Sequence, residues 1–218
     1  MVKEDVMNNQ KLASLSLLVS PIILLLGWAV LGVMLGFEVN PHKPQLYIES
    51  LGENKNLVKT IFPLVSFFLL LLIGGLSFIK TSMDGGSGYF VMGFGLMIMV
   101  IAAAGLIAGA ALQIGVADAA STTFAGGWSQ TAQTLFAAAN SIGALATGAM
   151  FIGFALVGIG ILVQKSFHSL ICGLMVISGL YTAAISVVDY NNPLIAVGYI
   201  GFCLSCVALG VTLMRSSE

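Results

Sequence analysis

The stretch Gln130 to Val163, QTAQTLFAAANSIGALATGAMFIGFALVGIGILV, contains neither a charge nor a proline, and it decides what this chain can fold into. At 1.5 Å per residue a helix of that length is about 50 Å long, more than the roughly 30 Å of a bilayer core. Stepping 100° per residue, Gln133, Asn140 and Thr147 fall on one line, with Gln130, Ala137, Ala144, Gly148, Ala155 and Gly158 within about 60° of it. Ile142, Leu145, Ile152 and Leu156 lie opposite. One face is amide and small, the other greasy. Neighbouring helices are therefore expected to close on the first face, where small side chains let backbones approach and amides need partners in the absence of water.

The rest of the chain fits the same solvent. Of 218 residues 58% are hydrophobic and 8% charged, whereas soluble domains carry about a quarter charged residues. This is the composition of a multi-pass protein of the cell membrane. A formal net charge of -1, with eight Lys plus Arg scattered singly, leaves no basic patch, so nucleic acid is excluded as a partner. Cys172, Cys203 and Cys206 all sit inside apolar runs and give no disulfide framework.

Six apolar segments are long enough to cross: 12–37, 57–79, 89–114, 130–163, 169–188 and 194–214. The expected fold is an all-α, polytopic transmembrane bundle in a single domain, residues 1–218. The first segment, with Pro21 inside it, has no convincing cleavage site after it and reads as a retained span. Glu38 to Asn56 is the longest polar segment and has room for a short surface helix or a lid. The third span carries Gly95, Ala102, Gly105, Gly109 and Gln113 within an arc of roughly 80°, including a G-x-x-x-G at Gly105 and Gly109. It is the expected partner for the amide face of the fourth. Residues 116–128, VADAASTTFAGGW, read as a short polar link ending in an interfacial Trp128. The two halves show no corresponding broken helices of the transporter kind. Placing the N-terminus inside puts Lys3, Lys11, Lys80, Lys165 and Arg215 in the cytoplasm and Lys43, Lys55 and Lys59 outside, an N-in/C-in topology by the positive-inside bias.

No Asp, Glu, Lys, Arg or His falls in the centre of any span, which argues against proton pumping and voltage sensing, since both need an intramembrane ionisable group. Gln113, Gln130, Gln133, Asn140 and Thr147 admit two readings. They form a hydrogen-bonding vestibule for a small polar solute, or they are interhelical glue; glue also accounts for the adjoining Gly105, Gly109 and Gly148 and is preferred. Glu38, His42, Glu49, Asp118 and Asp189 come from three links without metal-ligand spacing and read as a solvated rim. Gly85-Gly-Ser-Gly88 matches the G-x-S-G of rhomboid intramembrane proteases, but it lies in a charged link and the last span offers no histidine base, so it reads as a turn. Cys203-Leu-Ser-Cys206 lies in hydrocarbon, where the thiolate is disfavoured, and reads as packing. His168 stands at a helix start as a capping or interfacial residue. No catalytic, metal or cofactor residues are assigned, and an enzyme is not expected.

The layout resembles small, uncharacterised prokaryotic six-helix membrane proteins classified only as a domain of unknown function. The resemblance rests on the first span followed by N-P-x-x-P (Asn40 to Pro44) and Y-I-E-S-L (Tyr47 to Leu51). It continues through ANSIGALATGAMFIGFALVGIGILVQKSF (Asn140 to Phe167) into LICGLMVISGLYTAA (Leu170 to Ala184). It implies six spans and assigns no residue a role. The first functional expectation is a non-catalytic structural or accessory subunit that packs against other membrane subunits or itself within the lipid bilayer. The second is a small permease or channel for a neutral or weakly polar solute, lined by the Gln/Asn face.

Overall fold

A computed structural model describes residues 2–34, 44–83, 85–122 and 130–215, with side chains in the first of these from Asn9 to Val33. Glu38, His42 and Trp128 lie outside the described residues. The helices are α1 (Val2–Met34), α2 (Pro44–Glu53), α3 (Lys55–Thr81), α4 (Ser87–Thr122), α5 (Gln130–Gln164), α6 (Ser169–Val188) and α7 (Ile195–Arg215). All but α2 are long and apolar enough to cross a bilayer. The described chain is all-helical with six such crossings, the pattern of a multi-pass membrane protein.

Local chemistry sets the ends. The His168 side chain accepts the Leu170 N–H through Nδ1 at 3.3 Å and caps α6. Gly85 and Gly86 hold φ of 84° and 92° in the α3–α4 turn, a conformation that a side chain disfavours. Pro44 opens α2, where its missing N–H costs nothing. Asn54 alone separates α2 from α3 and serves as an elbow, its N–H bonded to the Ser50 carbonyl and its carbonyl to the Val58 N–H, both at 3.1 Å. Pro21 leaves its own carbonyl facing α7, where the Cys203 thiol donates to it at 3.3 Å.

The six long helices form a ring in the order α1, α3, α4, α5, α6, α7, with α7 closing back on α1; among the described residues no two helix backbones approach across it. The most extensive pairing is α4 with α5. It is a seven-residue repeat of small side chains on both partners: Gly88, Gly95, Ala102 and Gly109 on one, Ala139, Ala146, Gly153 and Gly160 on the other. A Cβ added at Gly95 would lie 2.6 Å from the Gly153 carbonyl oxygen, and one at Gly160 would lie 2.7 Å from that of Gly88. The two backbones are in direct contact, as a small-residue seam permits.

This pairing fixes the height of everything else. Gly88 is level with Gly160 at one end, and Gly115 meets Leu135 at the other, so the hairpin stays in register over its whole length. At 1.5 Å per residue both helices exceed the bilayer core by about 20 Å. The excess emerges on the side opposite the described chain termini, because α6 reaches only from Ser169 to Val188. Residues 116–122, expected as a polar link, continue α4 as helix. Around the excess α2 folds down and makes a second core, from Leu31, Ile48, Leu51, Val58, Ile61, Phe62, Val116, Ala117, Ala120, Ala132 and Phe136. Gly52 permits the approach, since a Cβ there would meet the Ala120 Cβ at 2.9 Å. The protein thus has a ring and, on one side of it, a head.

Candidate functional site

Three directions on α5 are distinguishable by what they touch. Ala139, Ala146, Gly153 and Gly160 lie against α4, while Gly148 lies against Ser186 and Val187, and Gly158 against Met175, all of α6. With Asn140 as the zero of a helical wheel, the α4 contacts lie roughly 130° to one side and the α6 contacts roughly 50° to the other. Gln133, Asn140 and Thr147 therefore look between the two neighbours, into the ring. This differs from the packing expected from sequence. Gly105 and Gly109 do face α5, at Ala146 and at Ala139 to Gly143, but the surface they meet is not the amide stripe.

The axial face of α5 is lined with aromatic rings from other elements. On the head side Tyr47 of α2 lies 5.3 Å from Phe136, centroid to centroid. A Cβ at Gly143 would come within 3.0 Å of the Tyr190 hydroxyl, which the α6–α7 connection brings in. The Thr147 hydroxyl lies beside the phenols of Tyr190 and Tyr199 without a hydrogen bond of good geometry to either. Deeper still, Phe151 stacks edge-on with Tyr199 at 5.1 Å and Phe202 at 5.4 Å, and Phe154 meets Phe202 at 4.6 Å. These rings join α5 to α7 across the ring interior and plug it. On the head side of the plug the lining is hydroxyl, phenol and amide.

Most buried hydroxyls here are satisfied within their own helix: Ser178 donates to Leu174, Thr182 to Ser178, Ser186 to Ala183 and Ser205 to Gly201, all at 2.7 to 2.9 Å. Thr147 and Ser20 are not, although they are 1% and 0% exposed. Gln113, which the α4–α5 register sets at the level of Phe136 to Asn140, keeps Oε1 buried without a partner. Gln113, Gln133 and Asn140, together with Gln130 at the exposed start of α5, make no interhelical hydrogen bond among the described residues. The amides that bridge elements are elsewhere, one joining α1 to α7 and one tying α5 to the α3–α4 turn. Gln10 Nε2 donates to the Leu213 carbonyl at 3.0 Å, and Gln164 Nε2 to that of Gly85 at 3.2 Å.

Burial pushes the Tyr47 phenol well above its ordinary pKa, and the neighbouring Tyr190 adds to the shift. Burial raises that of Tyr190 too, against a smaller opposing pull from the Thr147 hydroxyl. Both stay neutral donors at physiological pH. The lining can hydrogen-bond an uncharged molecule, and among the described residues it pairs no nucleophile with a base. Among the described residues no three His, Cys, Asp or Glu gather as metal ligands. Asp118 is instead ion-paired with Lys59 at 2.6 Å, and Asp189 accepts the Asn191 N–H at 3.2 Å within its own turn.

Sequence reasoning missed the three tyrosines. Each stands at or near the head-side end of its segment, where tyrosine is expected merely as an interfacial anchor; only the ring closure turns them inward. No protein-family model, curated protein or solved structure matches the chain.

Proposed function

We propose that the protein is a non-catalytic permease or channel of the cell membrane that passes a small, uncharged, hydrogen-bonding solute. The observation that carries this reading is the axial stripe: Gln113 Oε1 and Thr147 Oγ1 are buried in a closed helical ring without a hydrogen bond of good geometry, and Asn140 stands half-buried on the same line of α5. A buried polar atom left alone costs about 1 to 3 kcal/mol, a cost that water or a polar solute in the vestibule removes. Tyr47, Tyr190 and Tyr199 add donors and acceptors of the same neutral kind. The phenylalanine cluster is the gate, and the positive-inside bias puts the head outside and both termini in the cytoplasm.

The test is reconstitution in liposomes followed by light scattering after an osmotic step with urea or glycerol. The native protein is expected to accelerate swelling over protein-free liposomes. Asn140→Leu and Thr147→Val are expected to lose the acceleration while keeping helical content and a single gel-filtration peak. Native protein that gives no acceleration with either solute removes the proposal. The alternative reading, an accessory subunit, draws on the same aromatic closure taken as permanent. It is favoured if a native pull-down brings a second membrane protein in stoichiometric amount.

A further inference from the structure

Away from the ring interior, on the lipid-facing side, α3 and α4 leave a groove of about 380 Å³ lined by Phe62, Pro63, Phe67 and Leu70 on one wall and by Ile107, Ala110, Ala111 and Ile114 on the other. It exists because Ala110 and Ala111 project little from α4 opposite a proline and large side chains of α3. Its one hydroxyl, Ser66, turns back to the Phe62 carbonyl at 2.8 Å, so the groove makes no polar demand. One helical turn beyond its head-side end the same two stripes become polar. Lys59 pairs with Asp118 at 2.6 Å and Lys55 reaches the Ser121 hydroxyl at 3.4 Å. Trp28, 43% exposed, stands edge-on to Phe62 at 6.1 Å at that boundary, where an indole marks the level of lipid headgroups.

We infer that this groove is a binding site for one anionic phospholipid, with an acyl chain against Ala110 and Ala111 and the phosphate at Lys55 and Lys59. Size favours a chain over a helix: about 380 Å³ is near the lower end of small-molecule pockets, and a helix is about 10 Å across with its side chains. Charge selects the headgroup. The collar holds two ammonium groups against one carboxylate, and Lys55 has only a neutral hydroxyl partner. Glu53, exposed at the end of α2, pairs with neither lysine among the described residues. Neutralising the uncompensated charge is worth about a fivefold preference for an anionic over a zwitterionic headgroup. The site is separate from the axial vestibule and stands whether or not a solute passes there.

Trp28 is the reporter. The chain has two tryptophans, so a Trp128→Phe background isolates it. In nanodiscs of phosphatidylcholine, brominated phosphatidylglycerol is expected to quench Trp28 at about one fifth of the mole fraction that brominated phosphatidylcholine requires. Lys55→Gln with Lys59→Gln should bring the two lipids to equal potency. Ala111→Phe, which fills the groove from an exposed position, should weaken quenching by both. The lysine pair lies outside the packed core, so its variant tests the site even where the filled groove assembles poorly. Equal quenching by both lipids in the parent protein overturns the inference. So does quenching by neither, the result of a helix or a second copy seated in the groove, or a preference that survives loss of the lysines.

Discussion

Gly153→Ala is expected to destabilise the protein by about 2 kcal/mol, and the figure follows from where the new carbon would sit. A Cβ at Gly153 would lie 2.7 Å from the Gly95 carbonyl oxygen, 2.7 Å from the Met99 Cγ and 3.0 Å from the Met99 amide nitrogen. Two of those three atoms are backbone, so no rotamer change relieves the contact; α4 must move away by about 0.7 Å to reach ordinary van der Waals separation. A gap of that size forfeits a quarter to a half of the roughly 0.1 to 0.2 kcal/mol each atom pair contributes. Over the few tens of pairs in the adjoining turns the loss is about 2 kcal/mol, inside the 1 to 3 kcal/mol typical of overpacking. Gly74→Ala is the control, because nothing lies within 4 Å of a Cβ there and alanine improves helix propensity. Denaturant titration in detergent, followed by circular dichroism, compares the two. Stabilities within about 0.5 kcal/mol of each other would refute backbone contact as the basis of the α4–α5 seam.

Gln10→Ala removes a hydrogen bond between α1 and α7 and Gln164→Ala one between α5 and the α3–α4 turn, and each should cost about 0.6 to 2 kcal/mol in the same titration, whereas Gln130→Ala, exposed and unbonded among the described residues, should cost nothing measurable. Burial raises the phenol pKa values of Tyr47 and Tyr190, so the folded state holds these protons after the unfolded state has released them near pH 10. Their contribution is complete below about pH 10 and is lost as pH rises through the folded values. Tyrosinate absorbance should therefore show a late-titrating phase in the native protein, and Tyr47→Phe with Tyr190→Phe should shrink that phase.

Sequence resolves the solvent and the crossings readily, because an unbroken apolar run in a chain that is 8% charged has few other uses. It also marks Gly105 and Gly109 as contact residues. What it leaves out is the direction of each contact. A helical wheel of α5 shows an amide face and a small face overlapping, and the inference that the amides meet the glycines of α4 treats a pair of helices as the whole problem. In the ring α5 has two neighbours, and α4 takes the seven-residue row Ala139, Ala146, Gly153 and Gly160, visible only when the rows on both helices are read together. The amide stripe is left between the neighbours. The extension of α4 through residues 116–122 escapes for a related reason: Asp118 and Ser121 look like the end of a span, but the hairpin partner and α2 bury Val116, Ala117 and Ala120 between them. The three tyrosines are the hardest case, since convergence of residues from α2, the α6–α7 connection and α7 depends on a closure that no local pattern encodes.

Whether the aromatic cluster is a gate or a permanent plug turns on Phe202. Its ring lies 4.6 Å from Phe154 and 5.4 Å from Phe151, and these contacts carry the only described ring-to-ring link between α5 and α7 apart from that of Phe151 with Tyr199. Phe202→Leu keeps an apolar side chain of smaller volume there and should cost less than the roughly 3 to 5 kcal/mol of a Phe→Ala change, so the variant remains assembled. If the vestibule leads through the cluster, thinning it lowers the barrier that a polar solute meets in an apolar constriction. Osmotic swelling of liposomes carrying Phe202→Leu should then be faster than with the native chain. Phe90→Leu, 74% exposed on the lipid face, should leave it unchanged. Swelling that is the same for Phe202→Leu, Phe90→Leu and the native protein would place the conducting route, if any, away from the ring axis, and with it would go the role assigned to Asn140 and Thr147.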